Sequence, residues 1–509
     1  MHARRAMLVV ACCGWAVPAR AQSTNPPVEL TMRIRPVRDS GQEVRAVEFR
    51  TEIRGPLDQD ARPFSVQSPV TYAGRTGIAD RVDGLVMTDA SGNVPLTVDN
   101  DPADRGGFPY YRHWRAARRV VAPVIVTYRM KSFTGAATVG PQFDFYSHGG
   151  GISSGGMALF VLPEGISSAL MRVTWDLSGL AEGAIAASTY GDGDFELRGD
   201  PELLAQAYYM AGPLGRYVAA GTSGFTAYWL GRPTFDARTE MVFTHRAYEY
   251  LRSFYRDTSA SSYRVFVRSL PGTGGGTALQ NSFMLGAAPG AGDSSVVGPR
   301  GTLTHEMGHM FVGQLSGGGL AGATWFNEGL NVYYTRLLLL RSGLAPVEEY
   351  ARDLNASARG YFSSPYRNLS ADALAQIGFS TGVGAGSAQN IAYTRGSLYF
   401  ADVDAKIRDA SDGRRKLDDV ILPLFERRRR GESIDQNALI DALVREVGST
   451  ARDEFQAVIV RGEVFTPHAN AFGPCFERRP ISYTVNGARV GGFEWVRIAS
   501  IPDERCREW

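Results

Sequence analysis

Histidine and cysteine are scarce in this chain. Its 509 residues include seven histidines and four cysteines, and two of the cysteines, Cys12 and Cys13, sit in an N-terminal leader. Cys475 and Cys506 alone are left, which excludes a cysteine-rich zinc finger or a small disulfide-framed fold. Charge of one sign is lacking too. The 54 basic and 52 acidic residues give a formal net charge of +2, which argues against a charge-driven nucleic-acid binder. The one basic run, Arg427 to Arg430, closes a helical pattern after Leu424 and Phe425 and reads as a solvated helix end. Beyond the leader no run of eighteen apolar residues occurs, so no membrane-spanning helix is expected. The Gly-rich stretch from Gly272 to Gly292 has no closing G-K-[ST] and is not a phosphate-binding loop.

What is present has the composition of a globular protein, 44% apolar and 21% charged, long enough for two or three cores. The start reads as a targeting segment. His2, Arg4 and Arg5 precede an apolar run from Ala6 to Val17, and Ala19-Arg20-Ala21 offers small residues for cleavage before Gln22. Losing residues 1–21 removes three arginines and no acid, taking the formal charge from +2 to −1. An exported protein, periplasmic or secreted, is expected. Val9-Val10-Ala11-Cys12 also resembles a lipoprotein cleavage box, with a short apolar run ahead of it. In an oxidising compartment Cys475 and Cys506 can pair; otherwise they are two free thiols.

One constellation carries chemistry. Thr304-His305-Glu306-Met307-Gly308-His309 is followed by Trp325-Phe326-Asn327-Glu328-Gly329. With so few histidines, H-E-x-x-H is expected by chance only about 0.004 times in a chain like this. Imidazoles four residues apart project from one helix face and can share a metal ion. Glu306, next to the first, can reach a water at that ion and move its proton, as a general base must. Eighteen residues separate His309 from Glu328, room for the helix to end, for Gly317 to Gly322 to turn, and for a second helix to bring a carboxylate as third ligand. His305, His309 and Glu328 are therefore the expected ligands of one Zn2+. His113, His148, His245 and His468 have no ligand spacing and read as structural.

These residues resemble the gluzincin zinc metallopeptidases, and in detail the glycyl aminopeptidase family. Tyr393-Thr394-Arg395-Gly396 is similar to a Y-x-K-G segment of that family, which implies that Tyr393 stabilises the tetrahedral oxyanion. The stretch from Arg414 to Phe425 resembles the helix that follows it. Gly275 to Asn281 lies where the family has a Gly-rich substrate-binding strand with L-E-H, which implies substrate contacts from Gly276, Thr277, Ala278 and Gln280. Two features depart from the pattern. Gln280 replaces a glutamate that in related aminopeptidases holds the free amino group, and the sixty residues after the last helical pattern are too few for the peptide-binding domain that relatives carry there.

Along the chain, Val28, Leu30, Met32 and Ile34 alternate with polar residues, as in a half-buried strand, and Val47 to Ile53 repeats this. Further strands are expected at Val124 to Met130, Met157 to Leu162 and Leu170 to Trp175. Pro201 to Met210 and Thr239 to Tyr255 read as helices, with a strand from Tyr263 to Leu270 between them and the Gly-rich stretch, which looks too flexible for a core element. Helices are expected from Pro299 through Val312, from Asn327 to Ser342, and at Pro346 to Ala356, Thr394 to Asp409, Leu417 to Arg428 and Asp435 to Val447. The expected organisation is multidomain α+β. A leader (1–21) precedes an N-terminal β-sandwich-like domain (22–200), a thermolysin-like catalytic domain with a mostly helical second half (201–450) and a C-terminal tail (451–509).

The resulting expectation is an exported zinc peptidase, with a peptide as its partner, in which Glu306 serves as base and acid. An aminopeptidase on short peptides is what the resemblance implies. Gln280 leaves an endopeptidase open, and a catalytically silent zinc-stabilised peptide-binding protein is the reading from another class, against which the intact Glu306 argues.

Overall fold

Side-chain alternation builds the first part of the molecule, seen in a computed structural model that describes residues 28–509 apart from 40–42, 61, 104–108, 222–223, 260, 291–298, 318–323 and 379–384. The leader and most of the expected turn from Gly317 to Gly322 lie outside the described residues. In the strand Val28–Arg38, Leu30, Met32 and Ile34 are fully buried while Thr31, Arg33 and Arg35 face water. It pairs antiparallel with Val44–Arg54 and parallel with Ala169–Trp175, at the centre of a seven-stranded sheet. Two five-stranded sheets accompany it. Aromatic rings bind the core: Phe49 stacks on Tyr128 at 4.7 Å and meets Phe160 edge-on at 5.5 Å.

Two expected elements are corrected here. Met157 to Leu162 is a buried 3-10 turn at Gly156–Ala158 and then a two-residue strand, Leu162–Pro163, because every residue of the run is buried and no alternation marks its conformation. A Cβ on Gly156 would lie 2.0 Å from the Leu204 carbonyl oxygen, so the turn needs glycine. Pro201 to Met210 is helical only over Glu202–Ala205 and then becomes the strand Tyr208–Gly212. That strand is paired on both sides and buried throughout, and a continuous apolar run of this kind does not tell helix from central strand.

A mixed five-stranded sheet follows, in the order Gly215–Val218, Phe225–Leu230, Tyr263–Ser269, Ser282–Ala287, Gly276–Leu279. The three inner strands are parallel and the two edges antiparallel. The Gly-rich stretch is thus not too flexible for the core, since Ser282–Ala287 is buried along its whole length. These strands pack with the earlier sheets in one compact unit, the described residues up to Val242 together with Ala260–Thr302.

The second unit joins Phe243–Ser259 to Leu303–Trp509 and is mainly helical. Its helices include Gly329–Arg341, Val347–Phe362, Ala385–Ala410, Asp418–Arg429 and Gln436–Val447. Asp435 caps the last of these, accepting from the Ala438 N–H at 2.8 Å. The helix Ala385–Ala410 starts nine residues before the expected Thr394, because Ala388 and Ile391 alone are fully buried in its first turns, too few apolar positions for a period to show. After the helices comes a hairpin, Phe476–Val485 with Ala488–Arg497. The Asn355 amide donates to the Trp495 carbonyl and accepts from its N–H, both at 2.8 Å. Cys475 and Cys506 form a disulfide with Cα atoms 5.7 Å apart. The chain is therefore multidomain α+β, β-rich first and helical after. Among the described residues no helix is long and apolar enough to cross a membrane.

The disulfide spans a sequence separation of 31 residues. By loop-closure entropy, Cys475→Ser should destabilise the second unit by about 3.7 kcal/mol. A lower urea midpoint for its unfolding is the expected result; an unchanged midpoint would show that the hairpin is held by packing alone.

Candidate metal centre

The helix Arg300–Val312 is held by Leu303, Met307 and Phe311, which recur every four residues and are buried. Phe311 stacks on Tyr255 at 4.9 Å. Rotated from this stripe, His305 and His309 leave the same helix side with ring centroids 4.7 Å apart. The second helix, Gly329–Arg341, buries Leu330, Tyr333, Tyr334 and the whole run Leu337 to Leu340. It ends as expected near Gly343, whose φ of 69° is left-handed. Glu328 is its N-cap residue, where a carboxylate also suits the helix dipole.

The three expected ligands meet. Glu328 Oε2 lies 3.1 Å from His305 Nε2 and 3.4 Å from His309 Nε2. One donor atom from each falls within 4.8 Å of the others, the one such group among the described residues. Their side chains keep 14 to 20% exposure, so the cluster is reachable from solvent. Glu306 is buried beside them, close enough for its charge to act on both His309 and Tyr393.

Burial opposes charge here, yet Glu328 and Glu306 outweigh it and raise His309 to about 9. Glu328 is likewise driven up by burial, but the two histidines hold it well below the usual carboxylate range. Burial, then the Glu328 and Glu306 charges, push the Tyr393 phenol well above its ordinary value. A site that favours positive charge and offers two imidazoles and one carboxylate fits zinc, which takes such a donor set in catalytic sites.

Glycines allow the ligands to meet. A Cβ on Gly308 would lie 1.9 Å from Asn331 Oδ1, so glycine lets the second helix press against the first. Asn331, three residues after Glu328, is buried and donates from Nδ2 to the His305 carbonyl at 2.8 Å. The helix Ala385–Ala410 crosses even closer. A Cβ on Gly329 would lie 2.5 Å from Gly396 Cα, and one on Gly396 would lie 2.4 Å from the Trp325 carbonyl oxygen. Tyr393, about one turn before Gly396, places its ring against His305 with centroids 5.9 Å apart. These glycines stood inside the motifs, but only the packing assigns them a task.

Thus His305, Glu306, His309, Glu328 and Tyr393 come together in the second unit. Gly276, Thr277 and Ala278 lie in the first unit on the edge strand Gly276–Leu279, and Gln280 is in the turn after it, where Asn281 has a left-handed φ of 52°. Sequence reasoning passed over Gln142, which no motif marks. Its N–H donates to Thr277 Oγ1 at 2.9 Å, its Nε2 to the carbonyls of Gly140 and Gly274, and its Oε1 accepts from Arg268 and Thr273. His113 lies between Asp101 and Glu164 and His148 bonds Ser153, structural roles as expected.

The architecture has known counterparts. An aminopeptidase N family protein from Idiomarina loihiensis superposes with a TM-score of 0.69 at 15% identity, over 89% of this chain and 79% of that one. An M1 zinc metallopeptidase mutant from Deinococcus radiodurans, bound to a Tyr-Ser-Ala substrate, gives 0.52 at 15% over 86% and 94%. Yeast LTA4 hydrolase gives 0.53 at 13% over 87% and 69%. No curated protein matches the chain by sequence. The fold is thus shared with aminopeptidase-like zinc metallopeptidases, and the site brings together the donor set of the gluzincin class. Within that class the match is to the M61 glycyl aminopeptidase family, whose model aligns with residues 319–399, the stretch from just before Trp325 to just after Gly396.

Gly396→Ala leaves all five polar site residues in place while forcing two helix backbones apart. Overpacking of this kind should cost on the order of 1–3 kcal/mol. Zinc affinity should fall with it, measured by equilibrium dialysis against a competing chelator. Wild-type melting temperature and affinity in the variant would show that the crossing tolerates a methyl group.

Proposed function

We propose that the chain is an exported aminopeptidase that hydrolyses short peptides, with zinc held by His305, His309 and Glu328 in a thermolysin-like catalytic domain over about residues 201–450. The carrying observation is the meeting of these three donors from two helices, with Glu306 buried beside them. Bound zinc would polarise the scissile carbonyl and acidify a water. Glu306 takes the proton from the attacking water and returns it to the leaving amine. Tyr393, whose phenol is kept protonated by burial and by the neighbouring acids, donates its O–H to the developing oxyanion. Gly276, Thr277 and Ala278 would meet the substrate backbone along their edge strand, as peptides add to sheet edges, with Gln280 beyond them. The leader of residues 1–21 supports export.

One observation favours an endopeptidase as the second reading. A free α-ammonium calls for an anionic partner, and Gln280 is neutral, while the Gln142 side-chain oxygen is already engaged by Arg268 and Thr273. The neighbour from Deinococcus radiodurans holds a tripeptide, which supports a peptide as substrate in either reading.

Two measurements test this. Glu306→Gln should retain zinc by metal analysis and lose at least about a hundredfold in kcat; substantial residual turnover would remove Glu306 from its role. Mass spectrometry of mixed peptides, each with a free and an acetylated N-terminus, should show stepwise loss of residues from free termini only. Internal cleavage regardless of acetylation would establish the endopeptidase instead.

A further inference from the structure

One helix reaches both ligand-bearing helices of the metal centre. Asp418–Arg429 is 12 residues long, about 18 Å at the usual rise per residue. At its start Asp418 Oδ2 accepts from Arg341 Nη1 at 2.7 Å, and Oδ1 from the Tyr334 hydroxyl at 3.1 Å. Both partners belong to Gly329–Arg341, the helix that Glu328 caps. At its end Arg428 Nη1 donates to the Val312 carbonyl at 2.6 Å, and Nη2 to that of Phe311. These two residues close Arg300–Val312, the helix that carries His305 and His309.

The run Arg427 to Arg430 reads in the sequence as a solvated helix end, and the structure sets one of the four apart. Arg429 and Arg430 are exposed, and Arg427 Nε pairs with Glu432 at 2.8 Å. Arg428 turns inward instead, its guanidinium 4.5 Å from the centre of the Phe425 ring. The carbonyls it takes have no acceptor role inside their own helix, because the last four of any helix are left open. Gly313, with a left-handed φ of 58°, answers the His309 carbonyl from its N–H at 3.2 Å. Arg428 answers two more, and its planar fork fixes direction as well as distance. Apolar contacts between the charged ends reach the same helices. Phe425 meets Phe326, two residues before Glu328, edge-on at 6.5 Å, and lies 5.9 Å from Tyr255, which itself stacks on Phe311. An acid at the start and a base at the end also suit the helix dipole.

On the reading of the centre as a zinc site, we propose that Asp418–Arg429 is a splint that sets the separation of the two ligand helices, with Arg428 as its positioning residue for His309. Arg428 touches neither metal nor substrate. It holds the last turn of the first ligand helix, and His309 begins that turn. When the turn loosens, the His309 ring shifts relative to Glu328, and a misplacement of about 1 Å can cost on the order of a hundredfold in rate. The loss falls on metal affinity and kcat, while KM stays.

The whole protein carrying Arg428→Met should bind zinc roughly 10–100-fold more weakly than wild type against a competing chelator, at a temperature where both are folded. Its cobalt(II)-substituted form should show displaced visible absorption bands, which report ligand geometry, and kcat on a peptide should fall at unchanged KM. Arg428→Lys offers one point donor to two carbonyls and should give an intermediate loss; it also carries the test should Arg428→Met not fold. Arg429→Met, exposed and one residue further on, should match wild type. Asn355→Ala removes two hydrogen bonds to the hairpin and should lower the melting temperature at unchanged zinc affinity, which separates positioning from general stability. Wild-type zinc affinity and cobalt spectrum in both Arg428 variants, or an equal loss of zinc in Asn355→Ala, would overturn the splint alone. A wild-type protein that takes up no zinc would remove the metal centre, and the splint with it.

Discussion

The metal centre depends on how closely three helices approach one another. Ligands on separate helices meet only if the backbones come nearer than side chains ordinarily allow, and here Gly308, Gly329 and Gly396 remove the obstructing methyl groups. Everything polar follows from that approach. Asn331 can reach the His305 carbonyl because Gly308 leaves room, and the Tyr393 ring lies against His305 because Gly396 seats its helix on Gly329. Apolar packing then fixes the arrangement. Trp325 stacks on Phe400 at 5.6 Å, and the run Leu337 to Leu340 is sunk in the core behind Glu328. Preorganisation here is a property of helix spacing, and the titratable groups inherit it.

The site was more legible than the fold around it. A pair of histidines four apart needs only one helix to be meaningful, and the eighteen residues to Glu328 fit a helix, a turn and a helix, so local rules sufficed. Tyr393 was legible by likeness alone, for ahead of it in its helix only Ala388 and Ile391 are fully buried, too few to mark a period. Gln142 was invisible because all its partners but Gly140 lie 126 to 135 positions away and no motif marks it. In the β-rich part, strands with one wet face, such as Val28–Arg38, could be read from alternation. Tyr208–Gly212 could not, since burial on both faces erases the period and leaves helix and strand indistinguishable.

The chain handles buried charge in two ways. At the metal centre the buried charge is the Glu328 carboxylate, and two histidines answer it from 3.1 and 3.4 Å. Around Asp144 in the β-rich unit the buried charge is mostly cationic: Arg75 and Arg81 face its carboxylate and Arg268 its carbonyl, and arginines cannot neutralise themselves by losing a proton. Both clusters are expensive to bury and both are tied to backbone carbonyls, Asn331 to His305 in one and Arg268 to Asp144 in the other. Charge so placed gives direction to the segments it touches rather than net stability.

The final stretch of sequence has a consequence for biosynthesis. Arg341, at the end of the helix that follows Glu328, donates to the Trp509 carbonyl at 2.6 Å, Asn355 clasps Trp495, and Cys506 is linked to Cys475. Partners 140 and 168 positions apart meet only once the later one of each pair has been made. The helix carrying Leu337 to Leu340 must therefore wait, with a greasy side uncovered, until translation has passed Trp509. This unit closes late, once residues 475–509 have emerged, and the interval before closure is when it is most prone to aggregate.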